Sequence, residues 1–257
     1  MSKQRLDAAF ELVKTAGRKA FIPYLMAGDG GMESLEEKIL FLQEAGVTAI
    51  ELGIPFSDPV ADGPTIQEAG KRALENGTTL RVVLDYLAEI KDKVEVPLIL
   101  MTYLNPVYKY GIEKFTSDAR TAGVSGIIVP DLPLEQSGIL LGQLKENSLA
   151  FIQLVTLTSP KERIRKIAEA SEGFLYAVTV NGITGERTNV GEDLDSYIKR
   201  IMMYSHTPVL AGFGVSTPEQ VKEIGAICDG VIVGSKIISL WEAGRLDEIR
   251  ELVRSAL

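Results

Sequence analysis

Residues 35–53 read LEEKILFLQEAGVTAIELG, and this stretch sets the architecture of the chain. Leu35, Ile39 and Leu42 are spaced by four and three, which lines one face of a helix with apolar side chains. Ala45-Gly46-Val47 then ends the helix on a glycine and opens an extended run, Thr48–Leu52. The same join of helix end, glycine and strand start recurs at Ala122-Gly123-Val124. Working outward, further runs read as strands: Phe21–Met26, Leu98–Met101, Gly126–Val129, Ala150–Leu154, Phe174–Thr179, Val209–Gly212 and Gly230–Val233. Between them helical spacing returns, as in Leu80, Val83, Leu84 and Leu87, or Val221 and Ile224. Ser159-Pro160-Lys161-Glu162 and Thr217-Pro218-Glu219-Gln220 each fit an N-cap, a proline at the first helical position and a capping partner.

Eight such units without a linker or a shift in composition predict an α/β fold, a (β/α)8 TIM barrel that takes residues 1–257 as one domain. The opening MSKQRLDAAFELV reads as an extra N-terminal amphipathic helix and not as a signal peptide. A doubly wound open sheet is the alternative, and it normally uses fewer strands for this length.

The net charge of −8 and scattered Lys and Arg argue against a nucleic-acid surface. No apolar stretch reaches membrane-spanning length, so the chain is expected in the cytoplasm. With one cysteine and one histidine, a disulfide within the chain is impossible, and a metal site built on His or Cys lacks its ligands. His206 and Cys228 both precede strands, which sends them to the end of a barrel that serves stability.

The other end carries the chemistry. Side chains at strand C-termini share one face, which brings together Glu51, Asp62, Tyr103, Asn105, Asp131 and Tyr176. Residues 51–67, ELGIPFSDPVADGPTIQ, hold Glu51 at a strand end and return Asp62 through a proline-stiffened loop with no lysine or arginine. Glu51 taken singly fits a paired strand-end carboxylate, and Asp62-Gly63 fits a turn. Together in one stiff loop they fit acid–base catalysis. Glycine-bearing loops follow the last three strands: residues 181–185, Gly212-Phe213-Gly214 and Gly234-Ser235. Their backbone N–H groups suit a phosphate. None of the eight expected strands contains a lysine, which disfavours an imine mechanism. The substrate must then supply its own electron sink while carboxylates move protons.

Taken in order, Glu51–Gln67, Val129-Pro130-Asp131-Leu132-Pro133, Gly182-Ile183-Thr184-Gly185 and Gly212-Phe213-Gly214 resemble the tryptophan synthase alpha subunit family from about Phe21 to Ser235. The resemblance implies retro-aldol cleavage of indole-3-glycerol phosphate to indole and glyceraldehyde 3-phosphate. It implies Glu51 as the general acid–base and Asp62 as the carboxylate facing the indole N–H. Tyr176, Thr184, Gly185, Phe213, Gly214, Gly234 and Ser235 are implied to bind substrate, with Thr184 and Gly185 in a closing loop. Tyr24, Met101, Ile127 and Ile152 are implied to line the indole pocket. No cofactor is expected in this chain. A beta subunit carrying pyridoxal phosphate is implied as partner, in a heterotetramer of two alpha and two beta chains. Thr179-Val180-Asn181 and Lys236 depart from the family's common pattern. Rival readings are a barrel isomerase using Glu51, a regulatory subunit without activity, and a free-standing indole-releasing lyase.

Overall fold

The computed structural model describes residues 2–178, 190–212 and 214–256. Among them are nine parallel strands: β1 (Ala20–Met26), β2 (Ile50–Gly53), β3 (Leu98–Met101), β4 (Val124–Ile128), β5 (Ala150–Phe151), β6 (Gln153–Thr156), β7 (Leu175–Val178), β8 (Val209–Gly212) and β9 (Gly230–Val233). Their hydrogen-bonded order is β5-β4-β3-β2-β1-β9-β8-β7-β6. The two ends of this series, β5 and β6, are consecutive in the chain and separated only by Ile152. Residues 150–156 therefore form one strand that changes partner, pairing first with β4 and then with β7. The sheet comes round on itself as a (β/α)8 barrel with helices outside.

The expected strands appear in the expected order, with shifted ends and one break. The fifth strand is split because Ile152 N–H still bonds to Ile127 of β4 while the next amide leaves that ladder. Gln153 N–H donates to Ser171 Oγ at 3.1 Å, and Phe151 N–H donates to the Glu172 carboxylate at 3.3 Å. Side chains thus serve amides at the seam where the backbone ladder is interrupted.

Successive residues of each strand face opposite layers. Ile22, Tyr24, Ile99, Met101, Ile128, Ile152 and Tyr176 fill the barrel interior. Phe21, Leu25, Leu52, Leu100 and Ile127 form the layer beneath the outer helices. The turns into β2 and β4 need glycine: Gly46 has φ 87° and Gly123 has φ 79°, the left-handed region. Thr217 and Gln220 complete a reciprocal capping box on the helix Pro218–Ile227. Ser159 does not cap. The helix Lys161–Ala170 starts after Pro160, and the Ser159 hydroxyl instead meets Thr156 N and Thr156 Oγ1.

The extra helix, Ser2–Thr15, closes the barrel end where the strands begin. Leu6 and Phe10 enter the interior cluster, and the Phe10 ring lies 5.7 Å from that of Phe174. Lys3 pairs with Glu172 at 2.7 Å. His206 lies at this end in a cleft with Phe10, Lys14 and Asp229. Cys228 is buried, its thiol donating to backbone carbonyls.

Leu6 is fully buried, so Leu6→Ala should lower folding stability by about 2–5 kcal/mol, read by denaturant unfolding. A loss no larger than that of a surface substitution would mean that the helix does not plug the barrel.

Candidate active site

Glu51 is the third-from-last residue of β2, with Tyr24 of β1 and Ile99 of β3 as its register neighbours. Its side chain points into the barrel mouth and is 1% exposed. Among the described residues neither carboxyl oxygen has a hydrogen-bond partner. Burial, and then the nearby Asp62 carboxylate, push its pKa up to about 8.

Two tyrosines frame the mouth in the same way. A Cβ on Gly53 would fall 1.8 Å from Tyr24 Oη, and one on Gly212 would fall 2.6 Å from Tyr176 Oη. Each ring lies across a glycine on the neighbouring strand, so a larger residue at either position would expel the ring. Both phenols stay protonated, chiefly because they are buried.

Asp62 arrives on the loop after β2. That loop is pinned by Ile54 N–H on the Met101 carbonyl and by Asp62 N–H on the Pro59 carbonyl. It ends at Gly63, where Pro64 takes the first position of the helix Pro64–Glu75. Tyr103 Oη accepts from Ala61 N–H at 3.0 Å and donates to Asp62 Oδ2 at 3.1 Å. Burial raises the Asp62 pKa to about 6, while the Tyr103 hydrogen bond opposes that rise. Two carboxyl groups with pKa values pushed apart can divide acid and anion roles near neutral pH.

A cavity of about 300 Å³ joins these groups to the glycine loops. Glu51, Asp62, Tyr24, Met101 and Tyr176 line one part, and Gly214, Val215, Ser216, Gly234, Ser235 and Lys236 line another. Ile66 and Ile232 supply apolar wall. Gly214 has φ 83° and opens on empty space. The helix Ser235–Glu242 begins at this cavity; Ile237 and Ile238 N–H turn back to the Gly234 carbonyl. The amides of its first residues, Ser235 and Lys236, precede any intrahelical partner and suit an anion. Among the described residues no group of His, Cys, Asp or Glu could hold a metal ion.

Most sequence-predicted residues therefore meet in one place. Thr184, Gly185 and Phe213 lie outside the described residues. Ile152 faces the interior, yet it lines an adjoining cavity of about 510 Å³ that shares Met101. Ile127 is a correction: it packs beneath the helices, and Ile128 takes the interior position beside Met101 and Ile152. Leu98 pairs with Val124 but Ile99 pairs with Gly126, so Ser125 is an extra residue that resets the alternation of β4. Tyr103, Ile66 and Ile232 belong to the site without a role assigned to them from sequence. Only the placement of Tyr103 at a strand end hinted at one.

A protonated buried acid, an ionised neighbour and a separate anion cradle are the equipment of a phosphate-binding barrel enzyme that works by proton transfer. The tryptophan synthase alpha chain family model matches residues 10–256. The tryptophan synthase alpha chain of Bacillus thuringiensis subsp. konkukian is 54% identical over 255 residues, which is 99% of this chain and 97% of the relative. Tryptophan synthase subunit alpha from Legionella pneumophila str. Paris superposes with TM-score 0.89 at 32% identity, covering 98% of both chains. Mycobacterium tuberculosis tryptophan synthase gives TM-score 0.89 at 35% identity, again over 98% of both. The chain belongs to the tryptophan synthase alpha chain family. Its activity is the alpha reaction, the cleavage of indole-3-glycerol phosphate to indole and glyceraldehyde 3-phosphate.

Glu51 links the site to stability. The unfolded carboxyl ionises near 4.5 and the folded one near about 8. Between those values the unfolded chain has released a proton that the folded chain keeps, so this group's contribution to stability falls as pH rises. Glu51→Gln removes the dependence. Its thermal midpoint should match the parent's at acid pH and exceed it increasingly towards pH 8. Identical midpoints for both chains throughout would mean that Glu51 is not buried as a carboxylic acid.

Proposed function

We propose that Glu51 and Asp62 divide the alpha reaction between them, in a chain that works as one barrel domain over residues 1–257. Glu51, protonated at neutral pH, donates its proton to indole C3, and positive charge develops on the ring nitrogen. Asp62, ionised, accepts the hydrogen bond of the indole N–H and opposes that charge. The Glu51 carboxylate then takes the proton of the hydroxyl on the adjoining glycerol carbon. The O–H electrons become the aldehyde C=O bond, the C–C bond breaks, and its electron pair returns to the indole ring. Glu51 finishes protonated, ready for the next turn. The observation that carries this reading is the buried Glu51 carboxyl, unpartnered among the described residues, in one cavity with Asp62.

In this reading the phosphate lies against the amides of Gly214, Gly234 and Ser235, while Tyr24, Tyr176 and Met101 bound the indole. Thr184, Gly185 and Phe213 remain assigned by resemblance alone. The chain itself carries no cofactor. Its partner is a beta subunit holding pyridoxal phosphate, in a heterotetramer of two alpha and two beta chains. The loop carrying Asp62 suits docking: Val60 at its tip is 83% exposed, and Phe56 is braced on Tyr103 at 5.3 Å between ring centroids. No described helix is long and apolar enough to cross a membrane, and we place the biosynthetic step in the cytoplasm.

The decisive assay adds indole-3-glycerol phosphate to the purified chain and measures indole, with and without a beta subunit. Low basal turnover and a large rise in kcat with the partner are expected. Equal rates would instead indicate a free-standing indole-releasing lyase. Glu51→Gln should reduce turnover by roughly 10²–10⁴-fold or more, with glycerol phosphate binding retained. Near-parental turnover would reassign the proton donor. The pH profile of kcat/KM should rise as Asp62 ionises near about 6 and fall as Glu51 loses its proton near about 8. A profile flat across that interval would reject this division of roles.

A further inference from the structure

The Asp62 carboxylate is not aimed by its own loop alone. We propose that Tyr103 is a positioning residue for the alpha reaction: gripped by the Ala61 amide, its hydroxyl holds Asp62 Oδ2 and leaves Oδ1 for the substrate. This rests on the reading that Asp62 receives the indole N–H.

Tyr103 follows β3 and is 3% exposed. It is the N-cap of the helix Leu104–Tyr110, whose first amide, Leu104 N–H, donates to Asp131 Oδ1 at 2.9 Å. Residues after β4 thus fix the backbone beside Tyr103, and Phe56 packs against its ring. The polarity of the hydrogen bonds follows from what each group can do. A backbone N–H only donates, so Ala61 occupies a lone pair of the phenol oxygen. The phenol has one proton, and it goes to Asp62 Oδ2. A proton on Oδ2 would leave the phenol proton without this acceptor, so the arrangement favours the ionised carboxylate.

The electrical surroundings make this contact matter. Glu51, Tyr24 and Tyr176, from β2, β1 and β7, all interact with Asp62, and each is neutral or negative. Lys236 belongs to the glycine side of the cavity. Among the described residues, the Tyr103 hydroxyl is the side chain that lowers the Asp62 pKa against burial. Two links, Ala61 to Tyr103 and Tyr103 to Asp62, therefore tie the position of the carboxylate to its charge.

Tyr103→Phe keeps the ring and its packing on Phe56 while removing the hydroxyl. Indole release should fall about ten-fold in kcat with KM changed less than about two-fold. The acid limb of the pH profile should move to higher pH, because Asp62 then ionises later. In an Asp62→Asn background the same substitution should cost less than about two-fold, the signature of action through Asp62. Tyr103→Phe with parental kcat and an unmoved acid limb would overturn the inference. So would an equal loss in both backgrounds, which would mark a merely structural role. Parental turnover in Asp62→Asn itself would overturn the underlying reading of Asp62 instead, so the two failures are distinguishable.

Discussion

The rest of the site is arranged around a carboxyl group kept out of water. Glu51 sits where β2 delivers it, among interior side chains, and among the described residues neither oxygen has a hydrogen-bond donor and no cation offsets its burial. A group in that position resists ionisation, and the fold carries the strain of holding it there. That cost explains the neighbouring features. The phenols of Tyr24 and Tyr176 leave the mouth apolar enough to keep Glu51 protonated, and they can lie there because Gly53 and Gly212 offer no side chain. Asp62, by contrast, is half-buried and receives a hydroxyl, so the second carboxyl ionises first. Charge is thus separated by environment and not by residue type.

The two barrel ends divide labour in a similar way. The end where strands begin is sealed by Leu6 and Phe10, and it takes the chain's single histidine and single cysteine. The end where strands finish holds the loops, the cavity and the helix start at Ser235. A rigid, plugged base allows the mouth to keep an unfavourable group in place.

Much of this could be read from the chain. Gly46 and Gly123 marked strand entries because a left-handed turn selects glycine almost regardless of context. Glu51 and Asp62 were legible because a stiff loop with two prolines before Asp62 and no base has few structural uses. Most of what failed depended on partners distant in sequence. Ile127 and Ile128 are both apolar, and only the extra residue at Ser125, a property of β4 pairing with β3, decides which faces the interior. Ser159 has the chemistry of a cap, but the nearby Thr156 draws its hydroxyl away. Tyr103 could be placed at the correct end, yet its hold on Asp62 links loops from neighbouring strands, and no local spacing records such a contact.

The N-terminal plug also has a consequence for how the chain is made. Its helix leaves the ribosome first, but the surfaces that bury Leu6 and Phe10 come much later: Lys3 pairs with Glu172, and Phe10 meets Phe174. Until about two-thirds of the chain has emerged, that helix has only partial cover, from β4 and from the carbonyls of Val94 and Glu95. Its docking is a long-range event that waits on the seventh strand, so the barrel is stoppered late, after most of its wall has been synthesised.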